Sequence, residues 1–128
     1  MILRTFMFGV LLFLIISTSA AQPEKNKMKA WIEIEGEIKN LTLSAKFKNE
    51  DGKTIAINYV LKTKKEGRSG NSTSTQKGKC ISSKNKQLTL SKVRLNLSKK
   101  DNLFVSLIVY HNKQLVAQDS VVLHGDNE

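Results

Sequence analysis

Few residues in this 128-residue chain have the chemistry of a catalytic or metal-binding centre. It holds two histidines, His111 and His124, and one cysteine, Cys80. Neither histidine stands in metal-ligand spacing with Cys, Asp or Glu, so no metal site is expected. Asp119-Ser120 can be joined with a histidine into a hydrolytic triad on paper. A serine nucleophile needs a base within about 3 Å, however, and no nucleophile-elbow motif is present. Arg68-Ser69-Gly70 lacks the lysine-serine ending and the strand-loop-helix setting of a phosphate loop, so it reads as a turn. The expectation is a protein that is not an enzyme, with no catalytic residue and no cofactor. A lone cysteine cannot close an intrachain disulfide. Cys80 reads as a small buried hydrophobe at a strand end, with an exposed thiol available to another chain as the alternative. Asn40-Leu41-Thr42, Asn71-Ser72-Thr73 and Asn96-Leu97-Ser98 match the glycosylation triplet, which arises readily by chance in an Asn/Ser/Thr-rich chain.

Charge is the stronger signal. There are 21 Lys+Arg against 11 Asp+Glu, a formal net charge of +10. The first residues read as a secretory leader: Arg4, then an apolar run from Phe6 to Ile16, then Ser17-Thr18-Ser19-Ala20-Ala21. The apolar run is about half the roughly 20 residues that span a bilayer, so export with cleavage is expected rather than a membrane anchor. Thr18-x-Ala20 and Ser19-x-Ala21 both satisfy the small-residue rule. Removing residues 1–21 takes away only Arg4 among the charged groups, so the excess of positive charge belongs to the working domain.

The elements that carry this charge are read as strands. Residues 22–29 are polar and lysine-rich and read as a flexible lead-in, with one domain over 30–123 and a polar tail over 124–128. Ala30, Ile32 and Ile34 alternate with Trp31, Glu33 and Glu35. Leu41, Leu43, Ala45 and Phe47 alternate with Thr42, Ser44, Lys46 and Lys48, the period of a half-buried strand. Asn49-Glu50-Asp51-Gly52 is a turn, and Ile55, Ile57, Tyr59 and Leu61 continue beyond it. Lys64 to Gly78 has no apolar residue; it reads either as a long loop or as a polar edge strand over about Asn71 to Lys77. Leu88 and Leu90 precede Val93, Leu95 and Leu97 in shifted phase, which predicts a bulge near Ser91-Lys92. Asn102 to His111 alternates Leu103, Val105, Leu107 and Val109 with Phe104, Ser106, Ile108 and Tyr110. His111-Asn112-Lys113 turns the chain into a last strand from Gln114 to Leu123. About seven short strands without a helical stripe predict an all-β protein, a small immunoglobulin-like or fibronectin-like β-sandwich, with a small barrel as competitor.

Nucleic acid is not expected as a partner: Trp31, Phe47, Tyr59, Phe104 and Tyr110 fall where a core can use them, and a leader removes the chain from nucleic acid. Tyr59-Val60-Leu61, the polar stretch from Gly67 to Gly78 with its Ser69-Gly70-Asn71-Ser72 core and Gln76-x-Gly78, the strand at Val93 and the Gln114-to-Asp119 segment resemble the CsgH-type curli assembly chaperones of Gram-negative bacteria. The likeness runs from Trp31 to Leu123. It departs in a more lysine-rich surface and in lacking a cysteine beside Trp31, so no disulfide-dependent variant is implied. The resemblance implies a periplasmic β-sandwich that suppresses premature polymerisation of a curli-type amyloid subunit, without stable membrane insertion after cleavage. An unfolded amyloid precursor exposes backbone for strand addition, and weak contacts with β-prone segments would delay nucleation. Two client surfaces follow as expectations. One is the polar segment from Ser69 to Lys77, with Arg68, Asn71, Thr73 and Thr75; the other is the solvent-side lysines Lys46, Lys48, Lys62 and Lys64. The competing classes are a fibre-associated structural or adhesion module and a basic β domain that binds an acidic polymer.

Overall fold

The computed structural model describes residues 27–68 and 70–125. The expected leader, the lead-in as far as residue 26, Ser69 and the end of the tail lie outside them. Within the described residues seven strands follow one another: β1 (Met28–Glu37), β2 (Asn40–Asn49), β3 (Ile55–Gly67), β4 (Gly70–Ser82), β5 (Gln87–Leu95), β6 (Asn102–His111) and β7 (Gln114–His124). β1 begins two residues before Ala30 because Met28 already packs against the core.

The strands form a three-stranded sheet, β1-β2-β5, and a four-stranded sheet, β4-β3-β6-β7, with antiparallel neighbours throughout. In a constant-type immunoglobulin domain the fourth strand joins the first sheet. Here β4 pairs with β3 instead, which is the fibronectin-like form of the expected sandwich. The alternating positions meet between the sheets as predicted. Leu41, Leu43, Ala45 and Phe47 of β2 are buried against Ile57 and Leu61 of β3 and Leu103, Val105, Leu107 and Val109 of β6, with Ile32, Leu97 and Ala117 closing the cluster.

Local devices hold this arrangement. Opposite Ala45-Lys46 of β2, the pairing skips Leu90, so Ser91 and Thr89 meet consecutive partners. This bulge produces the phase slip seen in the sequence and keeps both Leu90 and Val93 against the core. β6 and β7 close at the His111↔Gln114 pair with positive φ at Asn112 and Lys113, as a two-residue turn of the primed kind requires. Asp101 is buried and accepts the Ser98 N–H at 2.8 Å, while its carbonyl accepts from Gly125 at 2.8 Å. A Cβ on Gly67 would stand 2.0 Å from the Asp101 carboxylate, so the end of β3 depends on glycine.

Candidate functional site

Among the described residues the histidines, Asp119 and Cys80 stand apart from one another. His111 donates through Nδ1 to the Ala56 carbonyl at 2.9 Å, and His124 donates to Asn102 Oδ1 at 2.5 Å. These two histidines occupy opposite ends of the β6–β7 hairpin. Asp119 accepts the backbone N–H of Ile32 at 2.9 Å and thereby ties β7 to the edge strand β1. Among the described residues, no group of three or more His, Cys, Asp or Glu is placed to hold a metal ion. Cys80 lies on β4, half-buried against the core, and burial raises its thiol pKa. That placement matches the small-hydrophobe reading.

The polar stretch is an edge strand, not a long loop. β3 and β4 form one long antiparallel hairpin, paired from Ile55↔Ser82 to Gly67↔Gly70. Among the described residues β4 pairs with no other strand. Its inner face is attached by three contacts. The Tyr59 ring lies over Gly78, where an added Cβ would come within 2.6 Å of the phenol oxygen. Gln76 and Ser91 are hydrogen-bonded partners between β4 and β5, and Cys80 packs on the core. The Gln76-x-Gly78 pair and Tyr59 therefore anchor the strand. Beyond them, residues 70–75 are exposed on both faces and contain neither charge nor proline. Edge strands are commonly defended by such residues, and an undefended one is a template for strand addition.

Register places the eight candidate residues on two surfaces. Across the outer face of the four-stranded sheet, Thr75 is opposite Lys62, Thr73 opposite Lys64 and Asn71 opposite Glu66, with Arg68 exposed at the hairpin end. Lys46 and Lys48 belong to β2, on the outer face of the other sheet. The structure thus brings Lys62, Lys64, Arg68, Asn71, Thr73 and Thr75 together and leaves Lys46 and Lys48 apart. Lys46 also differs from the solvated lysine expected there. Its side chain is only 16% exposed, it donates to Thr89 Oγ1 at 2.7 Å, and it lies 4.0 Å from Glu33. Lys48 pairs with Glu50 at 3.5 Å.

The two outer faces differ in charge. On the three-stranded side, Lys29, Lys46, Lys48, Lys92 and Arg94 are accompanied by Glu33, Glu35 and Glu37 of β1, with Glu33 4.0 Å from Lys46 and Glu50 3.5 Å from both Lys29 and Lys48. On the four-stranded side, Lys62, Lys64, Lys77 and Lys79 share the face with Glu66, which pairs with Lys64 at 3.1 Å. Among the described residues Lys62, Lys77 and Lys79 have no acidic partner. Basic charge that only Glu66 offsets adjoins a strand edge that is uncharged over residues 70–75.

Solved structures share this architecture. The E. coli curli protein CsgC superposes with a TM-score of 0.64 at 17% identity, covering 73% of this chain and 96% of its own. R. palustris CsgH gives 0.56 at 20% identity, covering 71% and 89%. A segment of a Bacteroides uniformis β-glucuronidase, 14% of that enzyme, gives 0.53 at 11% identity over 77% of this chain. These likenesses show the fold. No family model and no curated protein matches the sequence. The same sandwich therefore serves in whole small proteins and as one part of a large enzyme, and function must be argued from the surface.

Several residues of that surface escaped the sequence reading. Lys77 and Lys79 complete the basic face. Phe104 is 38% and Val122 53% exposed, and they are cross-strand partners beside Lys64. Trp31, Phe104 and Tyr110 were expected where a core can use them, yet they point outward, because Ile32, Leu103 and Val109 take the inner phase of the same strands. The alternation of β6 carried this signal, since filling one face with Leu103 to Val109 assigns Phe104 to the other.

Proposed function

We propose that this chain is a periplasmic chaperone that delays premature polymerisation of a curli-type amyloid subunit through weak, transient contacts, and that it is not an enzyme. The observation that carries the reading is the juxtaposition of an acid-poor lysine face with the end of β4 over residues 70–75, which is uncharged. The residues resembling CsgH-type chaperones, the fold shared with CsgC and CsgH, and the export leader read at the N-terminus support it. In this reading Lys62, Lys64, Lys77 and Lys79 attract acidic stretches of an unfolded client from solution. The β4 edge, with Asn71, Thr73 and Thr75 on its outer face and Arg68 at its end, then offers backbone groups to a short β-prone segment. Contacts made by exposed lysines and small polar side chains release quickly, which suits a client bound for secretion.

The open β4 edge also supports a second reading, a module held permanently on the fibre. Co-sedimentation separates the two. Fibres of a curli-type subunit grown with a twentieth part of this protein should leave it in the supernatant. Recovery in the pellet at a fixed ratio would replace the chaperone reading with the structural one. Joint substitution of Arg68, Asn71, Thr73 and Thr75 by alanine with the fold retained should shorten the delay. Unchanged suppression would remove these residues from the client surface.

A further inference from the structure

The outer face of the four-stranded sheet is not flat. Its side chains form rows across the strands, set by register. Thr73, Lys64, Phe104 and Val122 make one row; Thr75, Lys62, Ser106 and Ser120 the next; Lys77, Val60, Ile108 and Gln118 the third. Neighbouring rows stand roughly 7 Å apart, two residues along a strand. The middle row ends in two serines, while the rows on either side carry large side chains. The result is a groove running across β6 and β7, floored by Ser106 and Ser120 and walled by Phe104 and Val122 on one side and Ile108 and Gln118 on the other. An open depression of about 320 Å³ is lined by Lys62, Lys64, Phe104, Ser106, Ser120 and Val122. A second of about 410 Å³ continues it over Ser106, Ile108, Gln118 and Ser120.

We infer that this groove seats one apolar or aromatic side chain of an acidic peptide segment, whose carboxylates meet Lys62 and Lys64 at the groove's β3 end. The occupant follows from three features. The walls expose apolar area, with Val122 about half exposed, which rewards an apolar group. The floor lacks bulk, so a ring can descend between the rows. Lys62 has no acidic partner among the described residues, and Lys64 shares only Glu66. Asp119 lies along the same stretch of β7, but its carboxylate is turned to the Ile32 N–H and does not oppose an acidic ligand. The inference rests on the client reading above and deepens it: the face selects acidic segments that also carry a bulky apolar residue, where charge alone would accept any acidic chain.

The test uses capped peptides of sequence Gly-Asp-Phe-Asp-Gly, with Ala in place of Phe and with Lys in place of both Asp as counterparts, titrated into the full folded chain by NMR. The Phe peptide should shift the amides of Lys62, Phe104, Ser106 and Ser120 and bind at least about fivefold more tightly than the Ala peptide. The Lys peptide should not bind. Ser106→Leu fills the floor and should abolish the preference for Phe; Ser120→Val, at the exposed β7 edge, provides a second filling variant if the first does not fold. Equal affinity for Phe and Ala peptides, or a preference for Phe that survives both variants, would overturn the groove. Polymerisation of a curli-type subunit gives the independent arm. If the chain binds the Phe peptide as described yet never delays polymerisation, the groove stands and the chaperone reading fails. If delay persists undiminished in the filled variants, the chaperone reading stands and the groove fails.

Discussion

Reversal of Lys62, Lys77 and Lys79 to glutamate converts the outer face of the four-stranded sheet from four lysines against one glutamate to one lysine against four acids. A client carboxylate roughly 7 Å from each ammonium gains about 0.6 kcal/mol per pair in water, which screening at about 0.1 M salt halves. Three such pairs are worth about 0.9 kcal/mol, and reversal turns that gain into a penalty of similar size. The swing of about 1.8 kcal/mol corresponds to about twentyfold in Kd. At about 1 M salt, where the Debye length is about 3 Å, the same comparison shrinks to about twofold. The matched control is Lys48→Glu, Lys92→Glu and Arg94→Glu, on the outer face of the other sheet. It removes the same number of charges from the formal +10, at sites separated from the first face by the whole sandwich. Titration of fluorescent monomeric client at the two salt concentrations should show the large, salt-sensitive loss for the first triple and a change below about threefold for the second. Equal losses would mean that total charge governs capture. A larger loss for the control would move the site to the three-stranded sheet.

The remaining predictions concern the support of β4. Gly78→Ala drives a methyl into the Tyr59 ring and should destabilise the fold by about 1–3 kcal/mol in denaturant unfolding; a neutral result would show that the ring does not hold β4. Ser82 is fully buried with a hydroxyl that finds no partner among the described residues, so Ser82→Ala should raise stability by about 1 kcal/mol, and a loss instead would reveal a partner for it. Burial holds the Cys80 thiol above its ordinary pKa, so the native state retains this proton more strongly than the unfolded chain. The contribution is complete below the unfolded pKa and is lost as pH rises through the folded one. Iodoacetamide should therefore label native Cys80 more slowly than the unfolded chain at neutral pH, and equal rates would contradict the packed thiol.

The core was legible because one buried face writes a period of two directly into the residues, as in Leu41 to Phe47 and Leu103 to Val109. The slip between Leu90 and Val93 was legible for the same reason, although pairing alone located the skipped residue at Leu90. β4 was not decidable, since residues 64–78 contain no apolar side chain to mark a phase; its strand is imposed by thirteen backbone partners on β3. The outward phase of the lysines could be read, but not which sheet they would join. That depends on which strands pair, and it separates Lys46 and Lys48 from Lys62 and Lys64. The groove was still less visible, because it needs Ser106 and Ser120, distant in phase from any motif, to fall opposite each other.

The most direct measurement is the lag time of unseeded polymerisation of a curli-type amyloid subunit with and without the purified protein at one part in fifty. The account predicts a lag lengthened severalfold with the protein remaining soluble. A lag unchanged at that ratio, and still unchanged at equimolar protein, would contradict it.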